Sequence, residues 1–155
     1  MARLIVLLSG HVSSGKTTLC HLLVNRFNLT PFRTRELIQE LSGGIQSERG
    51  VMQAYGEKLD RQTRGAWVCN GLTRRVKELP EDAAIVVDAV RIPSQIDATR
   101  RAYGPRVIHI HLDAPREVLA KRYARKHGTF KEFATYEEVL RNKTERSIGQ
   151  LAEVA

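Results

Sequence analysis

The sequence is poor in cysteine and lacks any long apolar run, and both absences narrow what the protein can be. Two cysteines among 155 residues are too few for a disulfide framework, so we expect a reducing, cytoplasmic environment. No apolar stretch approaches the roughly 20 residues that a membrane-spanning helix needs, and no membrane partner is expected. The apolar residues 4–8 form too short a run for the core of a signal peptide.

Acidic residues are scarce relative to basic ones, and the resulting positive charge restricts the kinds of ligand that the protein is expected to bind. There are 17 Asp and Glu against 25 Lys and Arg, a formal charge of +8, and 18 of the basic residues are Arg. Arginine binds phosphate through its planar fork, so the charge suits nucleic acid or a small phosphorylated ligand. Aromatic residues make up only 6% of the chain and are not interleaved with basic ones, as stacking platforms for nucleic acid are. A small ligand is therefore the favoured partner, and nucleic acid is disfavoured.

The apolar pattern predicts an α/β fold. The continuous apolar runs at 4–8 and 83–87 are typical of strands buried on both faces of a parallel sheet, and a third strand is predicted at 107–112. Helical spacing predicts helices at 17–27, 34–41, 66–79, 93–103, 115–126 and 136–151, and one that begins near Ser47. This alternation implies a three-layer domain around a mainly parallel central sheet. The length suits a single domain over residues 1–155, and we expect the sheet to lack its last edge strand.

The most informative motif lies directly after the first predicted strand. Gly10 is followed by four residues and then by Gly15, Lys16 and Thr17, the spacing of a loop that cradles phosphate. Its backbone N–H groups converge on phosphate oxygens, and the next helix directs its positive N-terminus at the same anion. Lys16 is predicted to bridge the outer phosphates and Thr17 to ligate Mg²⁺. The predicted nucleotide-binding residues are Gly10, His11, Val12, Ser13, Ser14, Gly15, Lys16, Thr17 and Thr18.

An acidic residue at the end of the second predicted strand is the natural second member of this site. Asp88 follows three apolar residues, so its side chain is expected at the carboxyl edge of the sheet, where ligands bind in open α/β folds. The carboxylate can hold Mg²⁺ through water or accept a proton from an acceptor group. We therefore predict Thr17 and Asp88 as metal ligands, with Lys16 and Asp88 among the catalytic residues.

Several segments resemble the nucleoside monophosphate kinase-like branch of the P-loop NTPases, which includes adenylate and dephospho-coenzyme A kinases. Residues 86–91, Val-Val-Asp-Ala-Val-Arg, are similar to the strand-end motif of that branch, and 34–38, Thr-Arg-Glu-Leu-Ile, are similar to its acceptor-side stretch. The resemblance implies a Mg²⁺- and ATP-dependent kinase with a helical acceptor-side region at about 30–79 and a short lid at about 116–135. This sequence differs from the branch at Ala89, where glycine is usual. It also lacks the cysteine cluster found in lids that bind zinc.

Arginines are expected on both sides of the transferred phosphoryl group. The resemblance implies that Arg122 and Arg125, in the lid, close over the group and stabilise its charge. It also implies Arg91 as an acceptor-binding residue, and the basic stretch between 33 and 64 adds Arg35 and Arg64 as the weakest of these predictions.

Two histidines invite a metal interpretation that the sequence does not favour. His109 and His111 share one face of a predicted strand, but no third ligand lies nearby in sequence, and we expect core histidines instead.

Three functions are compatible with these residues. The leading hypothesis is a Mg²⁺- and ATP-dependent kinase of a small phosphorylated metabolite, in particular a nucleoside monophosphate. The alternative is a nucleotide-binding regulatory module with weak or no kinase activity, fused to or acting with a biosynthetic enzyme. The third is a polynucleotide kinase or nucleic-acid-dependent ATPase. The acceptor, the choice between monomer and homodimer, and membership of a larger multidomain protein stay open at this point.

Overall fold

The protein is described by a computed structural model that covers residues 3–46, 48–125, 136–141 and 143–155. The four strands in these ranges form one parallel sheet in the order β2-β3-β1-β4. Their bounds are β1 Ile5–Gly10, β2 Thr30–Arg33, β3 Ile85–Asp88 and β4 Val107–Leu112. The predicted α/β class with a mainly parallel sheet is therefore confirmed. No described helix is long and apolar enough to cross a bilayer.

Helices cover both faces of the sheet. The described α-helices are α1 Lys16–Phe27, α2 Thr34–Ser42, α3 Arg49–Thr63, α4 Ala66–Val76, α5 Pro93–Tyr103, α6 Arg116–Ala124, α7 Tyr136–Arg141 and α8 Lys143–Ile148. Short 3₁₀ helices follow at Gly104–Arg106 and Gly149–Val154.

The central strand β1 explains the three layers, because successive side chains point to opposite faces. Ile5 and Leu7 belong to the larger core cluster, which includes residues of α2, α4 and α5. Val6 and Leu8 belong to a second cluster, which includes Cys20 and other residues of α1. Both faces of β1 are thus covered, as its continuous apolar sequence predicts.

The sheet register brings functional residues to one edge. In β3, Asp88 pairs with Leu8 of β1 on one side and with Arg33 of β2 on the other. All four strands are parallel, so their carboxyl ends lie together. The phosphate loop that follows β1 therefore emerges beside Asp88.

The sequence prediction missed β2 and misjudged several boundaries. β2 is short, contains Pro31 and lies at the edge of the sheet, where a proline removes no essential hydrogen bond. The helix predicted at 66–79 ends at Val76, and the strand predicted at 83–87 spans Ile85–Asp88. Within the helix predicted at 136–151, Tyr136–Arg141 and Lys143–Ile148 are helical, and a 3₁₀ helix begins at Gly149. Ser47 and residues 126–135, where a helix start and much of the lid are predicted, lie outside the described residues.

The described residues include no strand after β4. The 3₁₀ helix Gly149–Val154 packs near β1 and β4 instead. Its Leu151 is fully buried in the larger core cluster, and its Val154 carbonyl accepts a hydrogen bond from Arg100 Nη2 at 2.8 Å. The end of the described chain is therefore anchored to the core.

Candidate nucleotide and acceptor site

The phosphate loop has the backbone shape that its glycines predict. Gly10 and Gly15 have φ of 145° and 101°, in the region that favours glycine, and α1 begins immediately afterwards at Lys16. A Cβ at Gly10 would lie 2.5 Å from the Leu112 carbonyl oxygen and 2.6 Å from Ser14 Oγ. Gly10 is therefore required by the close approach of β4 as well as by its own φ. Above Gly15 the space is open, with no atom within 4 Å of an added Cβ.

Lys16 lies across this loop. Its ammonium donates hydrogen bonds to the carbonyl oxygens of Gly10 at 2.7 Å and His11 at 2.8 Å. The His11 carbonyl also accepts the Ser14 N–H at 3.1 Å, which closes a tight turn. The ammonium is thus held at the loop, and its contact with phosphate stays a prediction from the spacing of the motif.

The loop's chemistry fits a bound phosphate. The side-chain oxygens of Ser13 and Ser14 are buried and have no hydrogen-bond partner within the described protein. Buried hydroxyls ordinarily find partners, and a phosphate offers acceptor oxygens for both. Thr17 and Thr18 line the cleft at the start of α1, where the helix dipole favours an anion.

Asp88 connects the loop to the other half of the site. Burial raises the pKa of its carboxyl above the ordinary value, and the positive charges of Lys16, Arg33 and Arg91 act in the opposite direction. Burial is the largest influence, so the net pKa is raised. The Asp88 carboxyl therefore interacts electrostatically with positive charges of both the phosphate loop and the acceptor side.

One cleft of about 1070 Å³ contains these groups. It runs from the phosphate loop to α2, α3 and α4, and its volume accommodates a nucleotide together with a small acceptor. Its charged lining residues are Lys16, Arg33, Arg35, Glu57, Asp60, Asp88, Arg91 and Arg122.

A hydrogen-bonded group organises the acceptor side of the cleft. Asp60 Oδ1 accepts from Trp67 Nε1 at 2.6 Å and from Gln95 Nε2 at 2.8 Å. Gln95 Oε1 in turn accepts the Arg91 backbone N–H at 2.8 Å. Burial raises the pKa of Asp60, and the two side-chain hydrogen bonds oppose that rise. The group links α3, α4 and α5 at the base of the cleft.

The predicted arginines separate into two sets. Arg35 and Arg91 line the cleft, and so does Arg122, whose Nη1 donates to the Ser13 carbonyl at 3.3 Å. Arg64, exposed just after α3, and Arg125, exposed just after α6, do not line it. The roles assigned to Arg64 and Arg125 stay predictions that their positions do not support.

Sequence reasoning missed several residues that the structure brings to this site. Glu57, Asp60 and Gln95 line the cleft, and Glu145 contacts the phosphate loop. Only Gln95 had a local signal, since it lies four positions after Arg91 in the sequence. The others lie on helices that reach the site through tertiary packing.

His109 and His111 form a hydrogen-bonded network with Ser9 of β1. Ser9 Oγ lies 2.7 Å from His109 Nε2 and 2.7 Å from His111 Nδ1. Burial lowers the pKa of both imidazoles. Among the described residues, no group of three or more metal-binding side chains is present.

Comparison with known proteins identifies the fold. No protein-family model matches the sequence, and no curated protein matches it. A shikimate kinase from Acinetobacter baumannii, solved with shikimate, has a TM-score of 0.56 and 20% identity, covering 98% of this chain and 75% of its own. An unliganded sugar kinase from a Janibacter species has a TM-score of 0.51 and 20% identity, with coverage of 99% and 94%. These likenesses show that the chain has the same α/β fold as these two kinases, with a phosphate-loop motif after its first strand.

Proposed function

We propose that the protein is a Mg²⁺- and ATP-dependent phosphotransferase that acts on a small phosphorylated metabolite, specifically a nucleoside monophosphate. The observation that carries the proposal is the position of Asp88. Its carboxyl interacts with Lys16 of the phosphate loop and with Arg33 and Arg91 of the acceptor side, within one cleft. A phosphoryl donor and an anionic acceptor bound at those two places would meet at Asp88.

Residues of the loop and of β3 suit the donor. The N–H groups of the loop, the hydroxyls of Ser13 and Ser14, and Lys16 would hold the ATP phosphates, while Thr17 and Asp88 supply oxygen ligands for Mg²⁺. When bound, Mg²⁺ and ATP supply an activated γ-phosphoryl group whose charge the metal partly neutralises.

Asp88 and Arg122 have distinct roles in this proposal. The Asp88 carboxylate orients the acceptor oxygen and takes its proton when the acceptor is a hydroxyl group. Arg122, beside the Ser13 and Ser14 carbonyl oxygens, adds positive charge where charge spreads over the transferred group.

The charges of the acceptor side select the substrate class. Arg33, Arg35 and Arg91 offer guanidinium groups for a phosphate. Glu57 and Asp60 lie in the same part of the cleft and suit the hydroxyl groups of a ribose or the amino group of a base.

A hydroxylated carboxylic acid is the second candidate acceptor. The same two acidic residues favour it, because carboxylates on the wall of the cleft accept hydrogen bonds from several hydroxyls at once. In this alternative the arginines bind a carboxylate instead of a phosphate, and Asp88 accepts the proton of the attacking hydroxyl.

The experiment is a transfer assay with radiolabelled ATP and Mg²⁺ against both classes of acceptor. The panel holds the common nucleoside monophosphates and a series of polyhydroxy carboxylic acids, and Lys16→Ala is the inactive control. Transfer to a nucleoside monophosphate is the expected result. Transfer only to a hydroxy acid would replace the acceptor class, whereas tight ATP binding without transfer to any acceptor would favour the regulatory module.

A further inference from the structure

A carboxylate from the far end of the chain is buried against the phosphate loop. Glu145, on α8, is 1% exposed, and its Oε1 accepts the Val12 backbone N–H at 2.7 Å. The same oxygen lies 3.1 Å from His11 Nδ1, a distance at which an Nδ1–H donates a hydrogen bond to a carboxylate. Burying a carboxylate is costly unless it is paired, and nothing in the proposed transfer uses this one.

The contact acts on a single peptide group. The His11 carbonyl and the Val12 N–H belong to one planar peptide unit and point in opposite directions when the bond is trans. Glu145 holds the N–H side of this unit, while Lys16 Nζ and the Ser14 N–H hold the carbonyl side at 2.8 Å and 3.1 Å. The orientation of the peptide therefore sets the position of one of the two carbonyl oxygens that hold the Lys16 ammonium.

The element that carries Glu145 is itself fixed in place. Ile148 and Leu151, one and two turns later, are 2% and 0% exposed. An added Cβ at Gly149 would lie 3.4 Å from His11 Nε2, so the chain runs close beside the loop here. A rigid support of this kind holds a reacting group in its productive geometry.

We propose that Glu145 is a positioning residue that presets the phosphate loop for the nucleotide by fixing the His11–Val12 peptide and, through it, Lys16. The inference rests on the proposed function in that the ligand is a nucleoside triphosphate. It goes further by assigning the order of the loop to a carboxylate that lies 133 positions away from Val12 in sequence.

The test compares Glu145→Ala and Glu145→Gln with the wild-type protein, and uses Glu153→Ala as the matched control. Glu153 is exposed in the same C-terminal segment, so its replacement should change nothing. Alanine removes the acceptor for Val12 and should weaken Mg²⁺–ATP binding by about tenfold, the size of a charge-assisted hydrogen bond. Glutamine keeps an oxygen acceptor without the charge and should restore much of the affinity, leaving a loss of about threefold.

Calorimetry of ATP binding is combined with the amide resonance of Val12 in ¹⁵N-labelled protein. We expect that resonance far downfield in the wild type and moved upfield in both Glu145 variants, a signature that a general loss of stability does not produce. Unchanged ATP affinity in a folded Glu145→Ala protein would overturn the proposal. If Glu145→Ala does not fold, the Glu145→Gln variant provides the test. The proposal is then overturned if Glu145→Gln binds ATP with wild-type affinity and its Val12 resonance does not move. Failure of the wild-type protein to bind ATP would instead contradict the proposed function.

Discussion

Replacing Asp88 with asparagine should stabilise the protein and sharply lower its turnover at the same time. Burial raises the pKa of this carboxyl despite the opposing charges of Lys16, Arg33 and Arg91, so the ionised form is held at a net disadvantage in the folded protein without ligands. Asparagine has nearly the same shape and no charge. We expect a gain of about 1 kcal/mol at pH 7, in the range usual for relieving a functional site.

The sign of the pH dependence follows from the direction of the shift. Because the folded protein has the higher pKa, it binds more protons than the unfolded chain at pH values from about 3.8 up to that raised pKa. This contribution to stability is therefore present at low pH and is lost as the pH rises through the window. The gain from Asp88→Asn should be small near pH 4 and greatest at neutral pH.

Thermal unfolding without nucleotide measures the gain in stability, and the transfer assay measures the loss of activity. For a chain of this length, 1 kcal/mol corresponds to about 2–4 °C in Tm, and loss of a proton acceptor or metal ligand should lower kcat about 10²- to 10⁴-fold. Asp82→Asn, at an exposed position, is the control and should change neither. A lower Tm for Asp88→Asn at pH 7, or near-normal turnover, would refute the reasoning.

Three further outcomes are expected. Gly10→Ala should prevent ATP binding and destabilise the fold by about 1–3 kcal/mol, because the new Cβ would lie 2.5 Å from the Leu112 carbonyl oxygen. Calorimetry measures the ATP binding, and denaturant unfolding measures the stability. Arg91→Ala should raise KM for the anionic acceptor about tenfold or more while KM for ATP stays within about twofold, since only the acceptor side loses a charge; initial-rate kinetics contradict it if both change together. Burial lowers the pKa of His109 and His111 from 6.5, so the unfolded histidines bind protons first and the stability of the fold should decrease as the pH drops below about 6.5. Thermal melts between pH 8 and 5 test this. The variant His109→Gln should show a smaller loss of stability over that range.

The parts of the site that are formed by residues close together in the sequence could be predicted from it. The strand, the loop from Gly10 to Thr17 and helix α1 are consecutive, so their spacing alone specifies the phosphate cradle. Asp88 could be placed for a related reason, since parallel strands end at the same edge of a sheet. The layered α/β fold followed from the alternation of apolar strands with amphipathic helices.

The acceptor side could not be predicted in the same way. Arg35 and Arg64 looked equivalent in the sequence, yet only Arg35 lines the cleft. Arg35 lies within α2, whereas Arg64 follows the end of α3, and the packing of these helices brings only Arg35 to the cleft. Asp60 escaped notice because its partners, Trp67 and Gln95, lie on two other helices.

By itself, then, the sequence determined the fold class, the phosphate loop and the strand-end carboxylate, because each follows from local spacing or from the rules of parallel sheets. Only the tertiary structure decided which arginines face the cleft, that acidic residues accompany them, and that Glu145 reaches Val12 across 133 positions. The physical reason is that such contacts arise from the packing of distant helices, and the spacing of residues along the chain carries no record of that packing.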